Sequence, residues 1–141
     1  MKVLVDTSIW SLAFRKSGGD LSSEEQTMVS NLKTIIMDLR VVIIGPIRQE
    51  ILSGISDEKQ FSKLKEKLQA FDDLPITSED YTLAAEFYNA CRKKGVQGSH
   101  IDFLICAVAY RNKLQIFTTD RDFSRYSKYI DLNFYKSQEV T

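Results

Sequence analysis

Three short apolar runs, spaced by helical stretches, constrain the fold of this chain more than any other feature. Lys2 to Val5, Val41-Val42-Ile43-Ile44 and Leu114 to Thr118 are β-branched or apolar at nearly every position. A strand with one wet face alternates polar and apolar residues, whereas an unbroken apolar run suits a strand covered on both faces, as in a parallel sheet. Helical signals lie between the runs. Ser23, with Gln26 three residues on, opens a helix through about Asp38, and Pro46 stands at a helix first-turn position. Residues 56–71 and 78–94 have helical spacing, with Gly95 as the stop. This alternation predicts an α/β fold in three layers, α/β/α, with a central mostly parallel sheet flanked by helices.

A length of 141 residues suits one domain over 1–141, and 43% hydrophobic residues with only two prolines exclude a disordered or collagen-like chain. Two cysteines make no disulfide framework, so Cys91 and Cys106 are expected as free thiols in a reducing cytoplasm. The apolar start stops at Asp6 and no apolar stretch is long enough to span a bilayer, so neither a secretory leader nor a membrane anchor is expected.

Nineteen acids balance nineteen bases, but the balance is uneven along the chain. Residues 72–86 hold only acids among their charges, whereas Arg111, Lys113, Arg121, Arg125 and Lys128 cluster towards the end, and Arg92-Lys93-Lys94 forms a second basic group. That group either complements the carbonyl end of a helix or forms a rim that contacts phosphates.

In an open α/β sheet the ligand site lies beyond the carboxyl ends of the strands, where strand order reverses. Asp6 ends the first apolar run, Glu50 lies one turn into the helix after the second, Asp102 starts a helix, and Asp120 follows the third run. Each has an ordinary use alone: Asp6 and Asp120 as turn or cap residues, Glu50 as a solvated carboxylate, Asp102 as the capping partner of Ser99. Together at one sheet edge they would repel one another and call for a compensating cation. Oxygen-only ligands favour Mg²⁺, with Mn²⁺ possible, and Mg²⁺ commonly borrows oxygens from a substrate phosphate. The implied substrate is a phosphate ester.

Asp6-Thr7-Ser8, Glu50 in Pro46-Ile47-Arg48-Gln49-Glu50, Ser99-His100-Ile101-Asp102-Phe103-Leu104-Ile105 and Thr118-Thr119-Asp120-Arg121-Asp122-Phe123 resemble the PIN-domain nucleases, and within them the VapC-type toxin ribonucleases of toxin–antitoxin pairs. The resemblance covers essentially the whole chain. It implies a PIN-like fold, Mg²⁺-dependent endoribonuclease activity, a homodimer and a VapB-like antitoxin. On that likeness Asp6, Glu50, Asp102 and Asp120 take the places of the acidic quartet, Ser8 that of the family's hydroxyl, and Asp122 that of an accessory acid. Asp6, Asp102 and Asp120 would hold the metal, Glu50 would orient water or close the coordination shell, and Ser8 would orient Asp6 or a metal-bound water. Arg121 and Arg125 are the candidates for RNA phosphate contacts.

His100 is given no role, and Trp10, Phe14, Phe103 and Tyr110 are read as core or interface residues. A receiver domain would need a second acid beside Asp6 and an acceptor acid where Gly45-Pro46 stands, and a haloacid-dehalogenase-like phosphatase would need an acid in place of Ser8. An inactive PIN-like binding or assembly module is the remaining alternative.

Overall fold

Val3, Leu4 and Val5 are all fully buried, so successive side chains on both faces of this strand are covered, as its apolar run demands. In the computed structural model, which describes residues 1–15 and 18–138, this strand, β1 (Val3–Val5), pairs with β2 (Val41–Val42) on one side and β3 (Gln115–Phe117) on the other. The far edge is β4 (Asn133–Phe134), giving the order β2-β1-β3-β4 with every pair parallel. The chain leaves β1 towards one edge and returns to its other side. The switch point therefore falls between the carboxyl ends of β1 and β3.

Among the described residues seven helices connect the strands: α1 (Thr7–Arg15), α2 (Ser23–Met37), α3 (Gly45–Leu52), α4 (Glu58–Leu68), α5 (Ser78–Lys93), α6 (His100–Asn112) and α7 (Asp122–Tyr126). Helix α1 packs on α2 and α3, and α5 packs along α6. Seven consecutive residues of α6, Phe103 to Ala109, are buried, which marks it as an inner helix. Trp10 on α1 is also fully buried; its indole N–H donates to the Val5 carbonyl at 3.1 Å, so the largest core side chain leaves no orphaned polar atom.

Arg48 of α3 joins the two ends of the α4 connection. Its guanidinium donates to the carbonyls of Leu68 and Phe71 and pairs with Asp73 at 3.0 Å. Asp73 in turn forms an isolated parallel bridge with Ile43, so the apolar run that begins in β2 continues as a sheet contact beyond the strand.

Several boundaries differ from the sequence expectation. Helix α2 is capped by Ser22 rather than opened by Ser23, because Ser22 and Glu25 exchange side-chain and backbone hydrogen bonds in a full capping box. Helix α4 is capped by Asp57 and ends at Leu68, so it is shorter at both ends than the 56–71 spacing suggests. Gly95 follows α5 with φ +76°, the left-handed geometry that ends a helix without Cβ strain. Helix α1 and strand β4 are additions. Tyr110 is exposed, stacking edge-on against Phe87, whereas Trp10 and Phe103 are core.

Candidate metal centre

Asp6 stands one residue past β1, and its backbone N–H donates to Phe117 O at 2.9 Å, extending the β1–β3 ladder beyond the strand. Its side chain is only 8% exposed. A buried carboxylate needs donors, and here two hydroxyls supply them: Thr118 at 2.7 Å and Ser8 at 3.0 Å, both to Oδ2. Ser8 accepts the Thr119 N–H at 3.1 Å and Thr118 accepts the Asp120 N–H at 3.0 Å. The loop after β3 is thereby fastened to the loop after β1.

That fastening places Asp120 at the same edge. Asp120 Oδ1 accepts the Asp122 N–H at 2.9 Å, a side-chain turn that starts α7. Asp102 comes from the first turn of α6, where the Ser99 hydroxyl accepts its N–H at 3.1 Å and the helix N-terminus tolerates negative charge. Carboxylate oxygens of Asp102, Asp120 and Asp122 lie within 4.8 Å of one another. Glu50 approaches from α3, accepting the Thr7 hydroxyl at 3.3 Å on Oε1.

The electrostatics record this crowding. Burial, foremost, pushes the Asp102 carboxyl up, the Tyr126 hydroxyl opposes it, and the negative charges of Asp120 and Asp6 add to the rise. Glu50 is raised for the same reasons, burial first, with Asp6 and Asp102 contributing repulsion against the Thr7 hydrogen bond. Tyr126 is pushed far up by burial and by its bond to Asp102, so it remains a hydroxyl donor. Three hard oxygens at short separation, with no thiol or imidazole among them, suit a hard divalent cation, whose charge would relieve the repulsion.

The sequence from residue 3 to 129 matches the PIN domain. The chain belongs to the PIN-domain family. Within it, the chain is 32% identical over 123 residues to ribonuclease VapC11 of Mycobacterium tuberculosis, covering 86% of this chain and 88% of that one, and so belongs with the VapC ribonucleases. The fold is similar to FitAcB from Neisseria gonorrhoeae, with a TM-score of 0.72, 20% identity and coverage of 96% and 97% of the two chains. It is similar also to VapBC-5 from Mycobacterium tuberculosis, described as a member of the VapBC family of toxin–antitoxin systems, with a TM-score of 0.65, 15% identity and coverage of 96% and 99%.

PIN membership displaces the receiver and phosphatase readings. Of the residues singled out from sequence, Asp6, Ser8, Glu50, Asp102, Asp120 and Asp122 all reach the switch-point edge. The sequence groups Asp6 with Asp102 and Asp120 and sets Asp122 apart; the tight trio in the structure contains Asp122, and Asp6 is linked to it through Thr118. Arg121 is exposed, and Arg125 pairs with Asp122 at 3.2 Å on the same helix. Arg92 to Lys94 are exposed in the last turn of α5 and beyond, and exposed His100 stacks on Tyr88 at 5.0 Å.

Thr7, Thr118 and Tyr126 were not singled out. Thr7 and Thr118 stand within the quoted motifs without a role of their own, because their partners lie 43 and 112 residues away and no local spacing encodes that.

Proposed function

We propose that this chain is a Mg²⁺-dependent endoribonuclease, the toxin of a type II toxin–antitoxin pair, with residues 1–141 acting as one domain. The observation that carries the reading is the convergence of Asp102, Asp120 and Asp122 beside the Thr118-bound Asp6 at the switch point of a PIN fold. Asp6, Asp102 and Asp120, joined by Asp122, would hold Mg²⁺, or Mn²⁺ in its place. When bound, such a cation makes water more acidic and neutralises charge developing on the scissile phosphate.

The chain's own groups do the rest. Ser8 and Thr118 hold Oδ2 of Asp6, which fixes the plane of that carboxylate. Glu50, gripped at Oε1 by Thr7 and raised in proton affinity by burial, orients the attacking water and accepts its proton. The water oxygen bonds to phosphorus as the bond to the 3′-oxygen breaks, and the departing 3′-oxygen takes a proton from solvent, leaving a 5′-phosphate and a 3′-hydroxyl. Arg121 and Arg125 bind flanking phosphates of a single-stranded loop.

A VapB-like antitoxin is supported by the likeness to VapBC-5 and by the identity with VapC11. A homodimer belongs to the same reading. A cytoplasmic setting accords with two buried free thiols and with the absence, among the described residues, of a helix long and apolar enough to cross a membrane. Incubating the purified chain with cellular RNA in Mg²⁺, in EDTA, and as Asp6→Asn tests the reading. Cleavage confined to the first condition is expected, and cleavage indifferent to EDTA or to the substitution overturns it.

A further inference from the structure

Tyr126 has no part in the chemistry above, yet it is fully buried and its hydroxyl donates to Oδ2 of Asp102 at 2.7 Å. Its ring is held between Phe103 and Phe123, with centroids at 4.7 and 5.4 Å. On a further side the wall is backbone: a Cβ on Gly98 would overlap the Tyr126 hydroxyl and stand 2.6 Å from Cζ. The phenol is trapped in a slot that only a glycine at position 98 leaves open.

The helix that carries it explains the placement. Tyr126 closes α7 four residues after Asp122, so the two lie on one face of a single helical turn. One five-residue helix thus delivers a carboxylate of the trio with its first residue and the hydroxyl that grips another carboxylate with its last. Three acids within 4.8 Å push one another apart, and Asp102, on the first turn of α6, is joined to the other two by no covalent neighbour. A neutral donor can hold it there without cancelling the charge a cation needs. A lysine or arginine in the same slot would compete for the site.

We propose that Tyr126 is a positioning residue of the cation site, its hydroxyl fixing the plane of the Asp102 carboxylate against Asp120 and Asp122, with Gly98 the residue that lets the phenol reach it. This rests on the metal-dependent reading above. Outer partners of this kind change metal affinity by roughly 10- to 100-fold when removed.

The test is Mn²⁺ affinity, measured by paramagnetic resonance titration on the parent chain, Tyr126→Phe, Gly98→Ala and the double variant, alongside thermal denaturation. Tyr126→Phe keeps the ring packing and loses only the hydroxyl; Gly98→Ala keeps the hydroxyl and displaces it. Each is expected to weaken Mn²⁺ binding by about 10-fold or more, and the double variant by no more than the weaker single, because both act through one hydrogen bond. RNA cleavage should lose kcat with little change in KM. Parental Mn²⁺ affinity in either folded single variant, with only a lowered Tm, overturns the positioning role and leaves the metal reading intact. A parent chain that binds no Mn²⁺ overturns both.

Discussion

The Thr118 hydroxyl donates to Oδ2 of Asp6 at 2.7 Å and accepts the Asp120 N–H at 3.0 Å, joining two acids from opposite ends of the chain through one side chain. Without it the Asp6 carboxylate would retain only Ser8, and the loop after β3 would keep the Thr119 N–H on Ser8 but lose its second fastening to the end of β1. Thr118→Val, close in shape but lacking the hydroxyl, is therefore expected to lower RNA cleavage about 10- to 100-fold. Thr118→Ser should restore most of the loss. Single-turnover cleavage rates at saturating Mg²⁺ check both, and parental rates in the valine variant would remove Thr118 from the site.

The repulsion among the acids predicts a trade between stability and activity. Asp102 is raised by burial and by the charges of Asp120 and Asp6, so its ionised form works against the fold in the absence of a cation. Asp102→Asn keeps an oxygen to accept the Tyr126 hydroxyl while removing that charge. Its Tm in EDTA should equal or exceed that of the parent, and its cleavage activity should be lost. A clear drop in Tm would mean that Asp102 supports the fold more than it strains it.

These relationships divide what the sequence makes legible from what it does not. Strands β1 to β3 are legible because both faces are largely covered and, Gln115 apart, their residues are apolar, and the acids that follow them are legible because a parallel sheet brings strand ends to one edge. Strand β4 is two residues on an edge, held by backbone pairing to β3, so it has no run to read. Helix α1 begins directly after the strand at Thr7, with Asp6 O accepting the N–H groups of Ile9 and Trp10, so no separate turn signal announces it. Thr118 and Tyr126 act across the fold on acids they do not neighbour in sequence. Only the three-dimensional arrangement gives them meaning.

Acid sensitivity should trace in part to Asp80. Burial pushes its carboxyl up, but the Thr77 N–H at 2.8 Å, the Arg111 guanidinium at 2.8 Å and the Thr77 hydroxyl outweigh this and leave it below its ordinary value. A carboxylate depressed in the folded state stabilises the fold above its unfolded value, near 3.9, and that contribution is lost as pH falls through the lower folded value. Asp80→Asn should thus cost on the order of 2 kcal/mol at pH 7, and the difference from the parent should shrink below about pH 4. Urea denaturation at pH 7 and pH 3 measures the gap at each end. A gap that is constant with pH would assign the loss to packing.

Arg48 supports the site from a distance. It is half-buried, donates to the Leu68 and Phe71 carbonyls, and holds Asp73 beside the end of β2, while its own helix carries Glu50. Arg48→Met fills similar space but leaves two carbonyls without their donor, which should cost about 1–3 kcal/mol. The expected signature is a lower urea midpoint with an unchanged slope. Arg48→Lys should recover little, because an ammonium cannot reproduce the fork that reaches three acceptors at once.

Salt dependence separates the two basic candidates beside the acids from bystanders. Arg121 is exposed at the start of α7, and Arg125, half exposed, is pinned to Asp122 at 3.2 Å, a pairing that aims its guanidinium towards the acid trio. A phosphate contact releases condensed counterions, and for single strands each one contributes about 0.7 to the slope of log K against log salt. Arg121→Gln and Arg125→Gln should each weaken RNA binding across unrelated sequences and reduce that slope by about 0.7. Lys113, at the end of α6 and before β3, lies at the opposite end of the strands, so Lys113→Gln should leave the slope alone. Filter binding of a single-stranded oligonucleotide over a range of salt, with the Asp6→Asn chain, expected not to cleave, as background, reads all three. Equal slopes for the parent and both arginine variants would move the RNA path away from α7.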